Sequence, residues 1–199
     1  MNSAKVKRYW GTQHVARICN VSPATVANWI DQGHLKGHKT PTGRRRVLGA
    51  DLIAFLGAHE MPVPPELAQG RGPDTVVVVD DNASFLRALV RTIENADLEV
   101  ELVEASNGMD ALLEIGRTHP AVVLLDYALP DMNGYEVIKR LLEPGRSLDA
   151  EVLVITGGVK PEEEERLREL GVRTIISKGN GMPAIIEAMR QALRRRKAA

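Results

Sequence analysis

The sequence predicts an α/β chain in which a doubly wound, five-stranded parallel sheet follows a small helical domain that carries a β-hairpin. Three observations lead there. After residue 74, β-branched runs and helical periods alternate five times, as strands and crossover helices do. Before residue 58 the apolar spacing is helical, the segments are short, and glycine and proline punctuate a basic stretch. Between the two, Gly57–Asp74 is rich in proline and shows no sustained period, so it reads as a linker with one short helical turn around Pro65–Ala68. The expected domains are residues 1–58 and 74–199, joined by 59–73.

In the first domain, Thr12 is the expected N-cap of a helix through Cys19 that buries Val15 and Ile18. Asn20-Val21-Ser22 makes a turn, and Ser22-Pro23 supplies a cap and a first-turn proline to a second helix. That helix runs to about Gln32, buries Val26, Trp29 and Ile30, and stops at Gly33. Leu35 leads into a basic segment, Lys36–Arg46, in which Pro41-Thr42-Gly43 turns a hairpin. A third helix, Ala50–Ala58, buries Leu52, Phe55 and Leu56.

In the second domain, Thr75–Val79 is a continuous β-branched run, as expected of a strand buried on both faces of a parallel sheet. Asn82–Ala96 has a helical period through Phe85, Leu86, Leu89, Val90 and Ile93. The alternation continues with strands at Glu99–Glu104, Ala121–Asp126, Glu151–Thr156 and Arg173–Ser177. Helices are expected at Asn107–Thr118, Gly134–Leu142, Pro161–Leu170 and Met182–Arg195.

Composition narrows the class. The formal net charge is zero, yet residues 1–60 carry nine basic against three acidic side chains and the remainder seventeen against twenty-three. A basic module joined to an acidic one suggests a polyanion partner for the first and different work for the second. Aromatics at 4% argue against stacking platforms for single-stranded nucleic acid. The lone cysteine, Cys19, rules out an intrachain disulfide and a multi-cysteine zinc site, and fits a small core side chain in a reducing compartment. No apolar run approaches the roughly 18 residues of a membrane span, and none follows the basic residues of Met1–Gly11 as a signal peptide would require. The expected location is cytoplasmic.

Doubly wound sheets bind ligands at the carboxyl ends of their strands. Here those ends carry Asp80-Asp81, Asp126 and Thr156, with Lys178 just after the last strand. If the first and third strands are neighbours, three carboxylates converge, repel one another and call for a cation. Hard oxygen ligands suit Mg²⁺. One carboxylate must stay nucleophilic, and aspartyl-phosphate chemistry needs no other activation. Lys178 can meet a phosphoryl oxygen as a point charge and the Thr156 hydroxyl can bond another.

On these residues, 75–195 resembles the receiver domain of response regulators, a flavodoxin-like fold. The shared pattern is the acidic pair, the run Asp126-Tyr-Ala-Leu-Pro-Asp-Met-Asn-Gly134, Thr156 and Lys178. The resemblance implies that Asp126 accepts phosphate from a sensor histidine kinase or phosphotransfer protein. It also implies that Asp80, Asp81, Asp126 and the Ala128 carbonyl hold Mg²⁺, and that the small Gly157 keeps the acyl phosphate accessible. Two positions depart from the pattern: Gly179 replaces the proline after the lysine, and Ile175 replaces the aromatic three residues before it. The first leaves the aim of Lys178 open. The second removes aromatic coupling to Thr156, leaving rearrangement of Pro161–Leu170, the strand at Ile175 and the final helix as the expected output.

The first two helices have helix-turn-helix proportions, and the second opens on Ser22, Thr25 and Asn28, small enough to approach base edges. Lys36, Lys39, Thr40, Arg44, Arg45 and Arg46 can follow as a wing against phosphates or a minor groove. Ser22, Thr25, Val26, Trp29, Gly33, Leu35, Thr40, Gly43, Arg45, Arg46, Asp51, Leu52, Phe55 and Leu56 together resemble the winged helix of MerR-type and excisionase-type proteins. Their long dimerisation helix is replaced by a linker and a receiver, which leaves a homodimer an open question. The expectation is a non-enzymatic regulator that binds double-stranded DNA and is switched at Asp126. The rival is a DNA-binding protein whose receiver serves dimerisation or partner docking independently of phosphorylation. The adjacent Asp80-Asp81 pair does not match the D-x-D of haloacid-dehalogenase phosphatases.

Overall fold

Helix-period segments and β-branched runs resolve into two compact units, Met1–Pro73 and Asp74–Ala199, in a computed structural model. The structure describes residues 9–40, 43–68, 73–96, 98, 100–143 and 148–198. Pro41 and Thr42 of the expected hairpin turn, residues 1–8 and 69–72, and Glu99 at an expected strand start lie outside the described residues.

The first unit runs β1 (Tyr9–Gly11), α1 (Thr12–Cys19), α2 (Pro23–Asp31), β2 (His38–Lys39), β3 (Arg45–Leu48), α3 (Gly49–Ala58) and α4 (Pro65–Ala68). Strand β1 was not legible in the sequence. It pairs antiparallel with β3, Trp10 opposite Val47, and the sheet order is β1-β3-β2. This pairing corrects the expected start of α1: Gly11 leaves the strand extended and occupies the cap position without a side-chain bond, so Thr12 is already helical. Ser22 caps α2 as expected, accepting from the Thr25 amide at 3.1 Å. Trp10, Val15, Val26, Leu35, Val47, Leu52 and Leu56 form the core. Leu67, Met61 and Val63 join it, so part of the expected linker packs on this unit. A leucine needs only burial, not a regular element, to gain the roughly 1.5–3 kcal/mol of leaving water.

The second unit alternates β4 (Asp74–Val79), α5 (Ala83–Asn95), β5 (Val100–Ala105), α6 (Gly108–Thr118), β6 (Val122–Asp126), α7 (Gly134–Leu141), β7 (Glu151–Thr156), α8 (Pro161–Glu169), β8 (Thr174–Ser177) and α9 (Gly181–Ala198). A 3-10 turn, Lys178–Asn180, joins β8 to α9. The sheet is five-stranded and parallel, ordered β5-β4-β6-β7-β8, with helices on both faces. Alternate residues of one strand feed opposite cores. Val76 and Val78 meet Leu89 and Ile93 of α5 and Ile185 and Met189 of α9. Val77 and Val79 meet Ala111 and Ile115 of α6, Val137 and Ile138 of α7, and Leu167 of α8. Two buried faces explain why β4 and β6 read as unbroken apolar runs. From β4 the chain first steps outward to β5, then returns to the other side of β4 as β6. The carboxyl ends of β4 and β6 therefore flank the point where the winding reverses.

Candidate functional site

Parallel register brings the strand ends level: Val79 lies opposite Leu125, Asp126 opposite Ile155, and Thr156 opposite Ser177. The residues just beyond or at those ends are Asp80, Asp81, Asp126, Thr156 and Lys178, which the structure gathers at one edge. Among the described residues four polar side chains are buried, and Asp80, Asp126 and Thr156 are three of them, at 1%, 3% and 5% exposure. Asp81 is exposed. Oxygens of Asp80, Asp81 and Asp126 lie within 4.8 Å of one another.

Lys178 answers the buried charge. Its Nζ stands 2.7 Å from Asp80 Oδ2 and donates to Asp126 Oδ2 at 2.7 Å. The Phe85 ring lies beside the ammonium, 4.7 Å from its centroid. Burial pulls the Lys178 pKa down, but its bonds to Asp126 and Asp80 outweigh burial and leave it raised. Burial raises the Asp80 pKa despite Lys178, and the neighbouring Asp126 charge adds to the rise. With Gly179 in place of the proline, Lys178 still reaches both carboxylates. The Gly179 amide donates to Ser177 Oγ at 3.2 Å and the 3-10 turn sets the loop.

The remaining contacts are local. Asp80 Oδ1 accepts from the Asn82 amide at 2.9 Å, and Asp126 Oδ1 from the Ala128 amide at 3.3 Å. Thr156 Oγ1 accepts from the Gly158 amide at 2.9 Å, and a Cβ on Gly157 would meet only open space. Gly134 sits at a close approach: a Cβ there would come 3.1 Å from Tyr127 Cα and 3.2 Å from the Asp126 carbonyl oxygen, tighter than ordinary contact. Ile175 is half-buried beside the core that holds Leu167.

The donor set fits a small divalent cation. Magnesium ligands sit roughly 2.0–2.1 Å from the ion, so oxygens already gathered within 4.8 Å need to close only a little. Burial first, then the neighbouring Asp126 charge, raises the Asp80 pKa, and a bound cation would favour its charged form.

Three residues here escaped sequence reasoning. The Tyr127 hydroxyl donates to Glu163 Oε1 on α8 at 2.9 Å. Burial and this carboxylate push the tyrosine pKa up to about 12. Asp131 accepts from the Gly108 and Met109 amides at 2.8 and 2.9 Å, capping α6, and these bonds lower its pKa. Phe85 was read only as a helix core position. Each contact joins residues far apart in sequence, so no periodicity signals it.

In the first unit, the candidate DNA contacts fall into two groups. Ser22, Thr25 and Asn28 lie along the start of α2, where the Ser22 hydroxyl serves the cap and meets Thr25 Oγ1 at 2.8 Å. Lys39, Thr40, Arg44, Arg45 and Arg46 lie on the hairpin, closed by the Thr40 amide donating to the Arg44 carbonyl at 2.7 Å. Lys36, before the hairpin, pairs with Asp51 at 3.4 Å. Asp31, at the end of α2, ties the groups together. It accepts from Arg45 Nε at 2.9 Å and lies 3.1 Å from Lys39 Nζ, and these two cations hold its carboxyl down to about 2.

Comparison with known proteins agrees with this geometry. Residues 76–190 match the family model of the response regulator receiver domain, and residues 11–59 match a helix-turn-helix domain. The chain is 31% identical over 122 residues to the polar-differentiation response regulator DivK of Brucella anthropi, covering 61% of this chain and 97% of that one. It is 26% identical over 156 residues to the sensor histidine kinase RcsC of Salmonella typhi, of which it spans only 16%. Among solved structures, the signal receiver domain of NarL from Mycobacterium tuberculosis superposes with a TM-score of 0.56 at 28% identity, over 62% of this chain and 98% of that one. No helix among the described residues is long and apolar enough to cross a membrane.

Proposed function

The chain belongs to the response regulators, and from that membership we propose that it accepts a phosphoryl group on Asp126 and regulates transcription through its N-terminal domain. The observation that carries this reading is Lys178 held 2.7 Å from both Asp80 and Asp126, beside Asp81, where the sheet reverses its winding. A carboxylate oxygen of Asp126 attacks the phosphorus of a phosphohistidine on a sensor kinase or phosphotransfer protein. The bond to the imidazole nitrogen breaks, and the electron pair and a proton stay with the ring. Lys178 neutralises one phosphoryl oxygen and the Thr156 hydroxyl donates to another. Asp80, Asp81, Asp126 and the Ala128 carbonyl would hold Mg²⁺, which when bound offsets charge on both the carboxylates and the phosphoryl group.

In this reading residues 1–58 are a winged helix of MerR or excisionase type that binds DNA, 59–73 are a connection that partly packs on it, and 74–199 are the receiver. Ser22, Thr25, Asn28, Lys36, Lys39, Thr40, Arg44, Arg45 and Arg46 face double-stranded DNA in this reading. The work is regulatory rather than enzymatic, and its place is the cytoplasm. The test is intact mass after incubation with phosphoramidate and Mg²⁺: wild type should gain about 80 Da, the mass of one phosphoryl group, and Asp126→Asn should gain nothing. DNA affinity should then differ between wild type with and without beryllofluoride, and not in Asp126→Asn.

Ile175 favours one rival, a receiver that serves dimerisation or docking whatever its phosphorylation state. Mass gain without any change in DNA affinity or oligomeric state would select it.

A further inference from the structure

We propose that the hydrogen bond from Tyr127 to Glu163 couples the Asp126 site to helix α8, a task that Ile175 has no polar group to perform. The proposal rests on the phosphoacceptor reading above.

Tyr127 follows Asp126 directly, and its backbone is fixed on both sides. Its amide donates to the Ile155 carbonyl at 3.0 Å and its carbonyl accepts from the Gly134 amide at 2.7 Å. Gly134 packs closely on its Cα: a Cβ there would stand 3.1 Å away, tighter than an ordinary contact. A shift at Asp126 is therefore passed to the tyrosine rather than absorbed between them. At the far end, Tyr127 Oη donates to Glu163 Oε1 at 2.9 Å, while Glu163 Oε2 accepts from the Lys160 amide at 3.0 Å. Glu163 thus caps the start of α8 and anchors it to the phosphoacceptor loop with the same carboxylate. The tyrosine titrates only near 12 and remains a donor at every physiological pH.

Helix α8 has few other anchors. Leu167 is its one buried residue, and Glu162, Glu163 and Glu164 crowd its first turn. Its other tie to the same loop region is Arg166, stacked 4.3 Å from the centroid of the Tyr135 ring at the start of α7. An element held by one buried leucine and a few polar contacts opens at low cost. Helix α8 also begins five residues after Thr156, whose hydroxyl already holds the Gly158 amide at 2.9 Å. A phosphoryl group on Asp126 would therefore act on the helix from two sides, through Thr156 and its loop and through Tyr127.

The experiment is amide hydrogen exchange across Pro161–Glu169 in the full chain, with and without beryllofluoride and Mg²⁺. Wild type should change its α8 exchange on binding. Tyr127→Phe keeps the ring, and without ligand it should exchange about ten-fold faster in α8, the expected loss of one hydrogen bond to a charged acceptor. Its response to beryllofluoride should largely vanish although the anion still binds, as a bound ¹⁹F resonance shows. Glu163→Gln retains an acceptor and should keep most of the response, which a merely structural role for the ring would not require. A Tyr127→Phe protein whose α8 responds like wild type overturns the coupling. Failure of wild type to bind beryllofluoride sinks the phosphoacceptor reading instead. The coupling is then judged without ligand, by a double-mutant cycle of Asp126→Asn and Tyr127→Phe read on α8 exchange: additive effects overturn it and non-additive effects uphold it.

Discussion

Asp80 is held in the fold against its own preference. Burial, only partly answered by Lys178, raises its pKa above the ordinary 3.8. The folded state therefore binds its proton more tightly than the unfolded chain does. The second unit should lose stability as pH rises from that ordinary value through the folded pKa. Asp80→Asn should remove this loss and raise the melting midpoint near pH 7. Added Mg²⁺ should raise the wild-type midpoint and leave the variant unmoved. Equal midpoints, or equal responses to the ion, would count against Asp80 as a charged group strained by its site. His14 shows the opposite linkage in the first unit. Burial first, then Arg17 and Arg46, lower its pKa from 6.5 to about 4, and its buried Nε2 has no hydrogen-bond partner among the described residues. Unfolding exposes an imidazole that takes a proton through this window. The first unit should lose up to about 3 kcal/mol as pH falls from 6.5 to 4. His14→Phe should flatten that dependence. Trp10 and Trp29, the two tryptophans of the chain, both report on this unit by fluorescence.

At the scale of elements, Asp31 of α2 meets Arg45 and Lys39 of the hairpin. Exposed ion pairs contribute little to stability, so this one chiefly sets where the guanidinium sits. Arg45→Ala should leave the melting midpoint nearly unchanged, weaken DNA binding across sequences, and lower the salt slope by about one. A salt slope equal to that of wild type would mean Arg45 meets no phosphate. What could be read in advance also divides by element. The strands of the second unit were legible because a sheet covered on both faces demands apolar runs. The site was legible because parallel strands bring Asp80, Asp126 and Thr156 level at one edge, so position in sequence translates directly into position in space. Strand β1 was not legible: three residues carry no period, and its partner β3 begins 34 residues after it ends. The bond from Tyr127 to Glu163 was hidden for the same reason, since it spans 36 residues and depends on how α8 lies against the loop.

Taken whole, the chain joins a unit with an excess of basic side chains to one with an equal excess of acidic ones, and the boundary between them matters for both. The proline-rich stretch after Ala58 lacks a helical or strand period, which invites cutting there. Yet Leu67 is 2% exposed within the first core, with Met61 and Val63 packed against it. Removing a fully buried leucine typically costs about 2–5 kcal/mol, a large part of the stability of so small a domain. A fragment ending at Ala58 should therefore melt well below one ending at Ala68, or fail to fold, with tryptophan fluorescence as the readout. Leu67→Ala in the longer fragment should reproduce most of the difference. Because the acidic unit is then absent, the longer fragment should also bind DNA more tightly than the full chain at low salt. That advantage should shrink as the screening length falls to about 8 Å near 0.15 M. Fragments of equal stability would show that Leu67 is covered without contributing, and would move the edge of the folded unit back to Ala58.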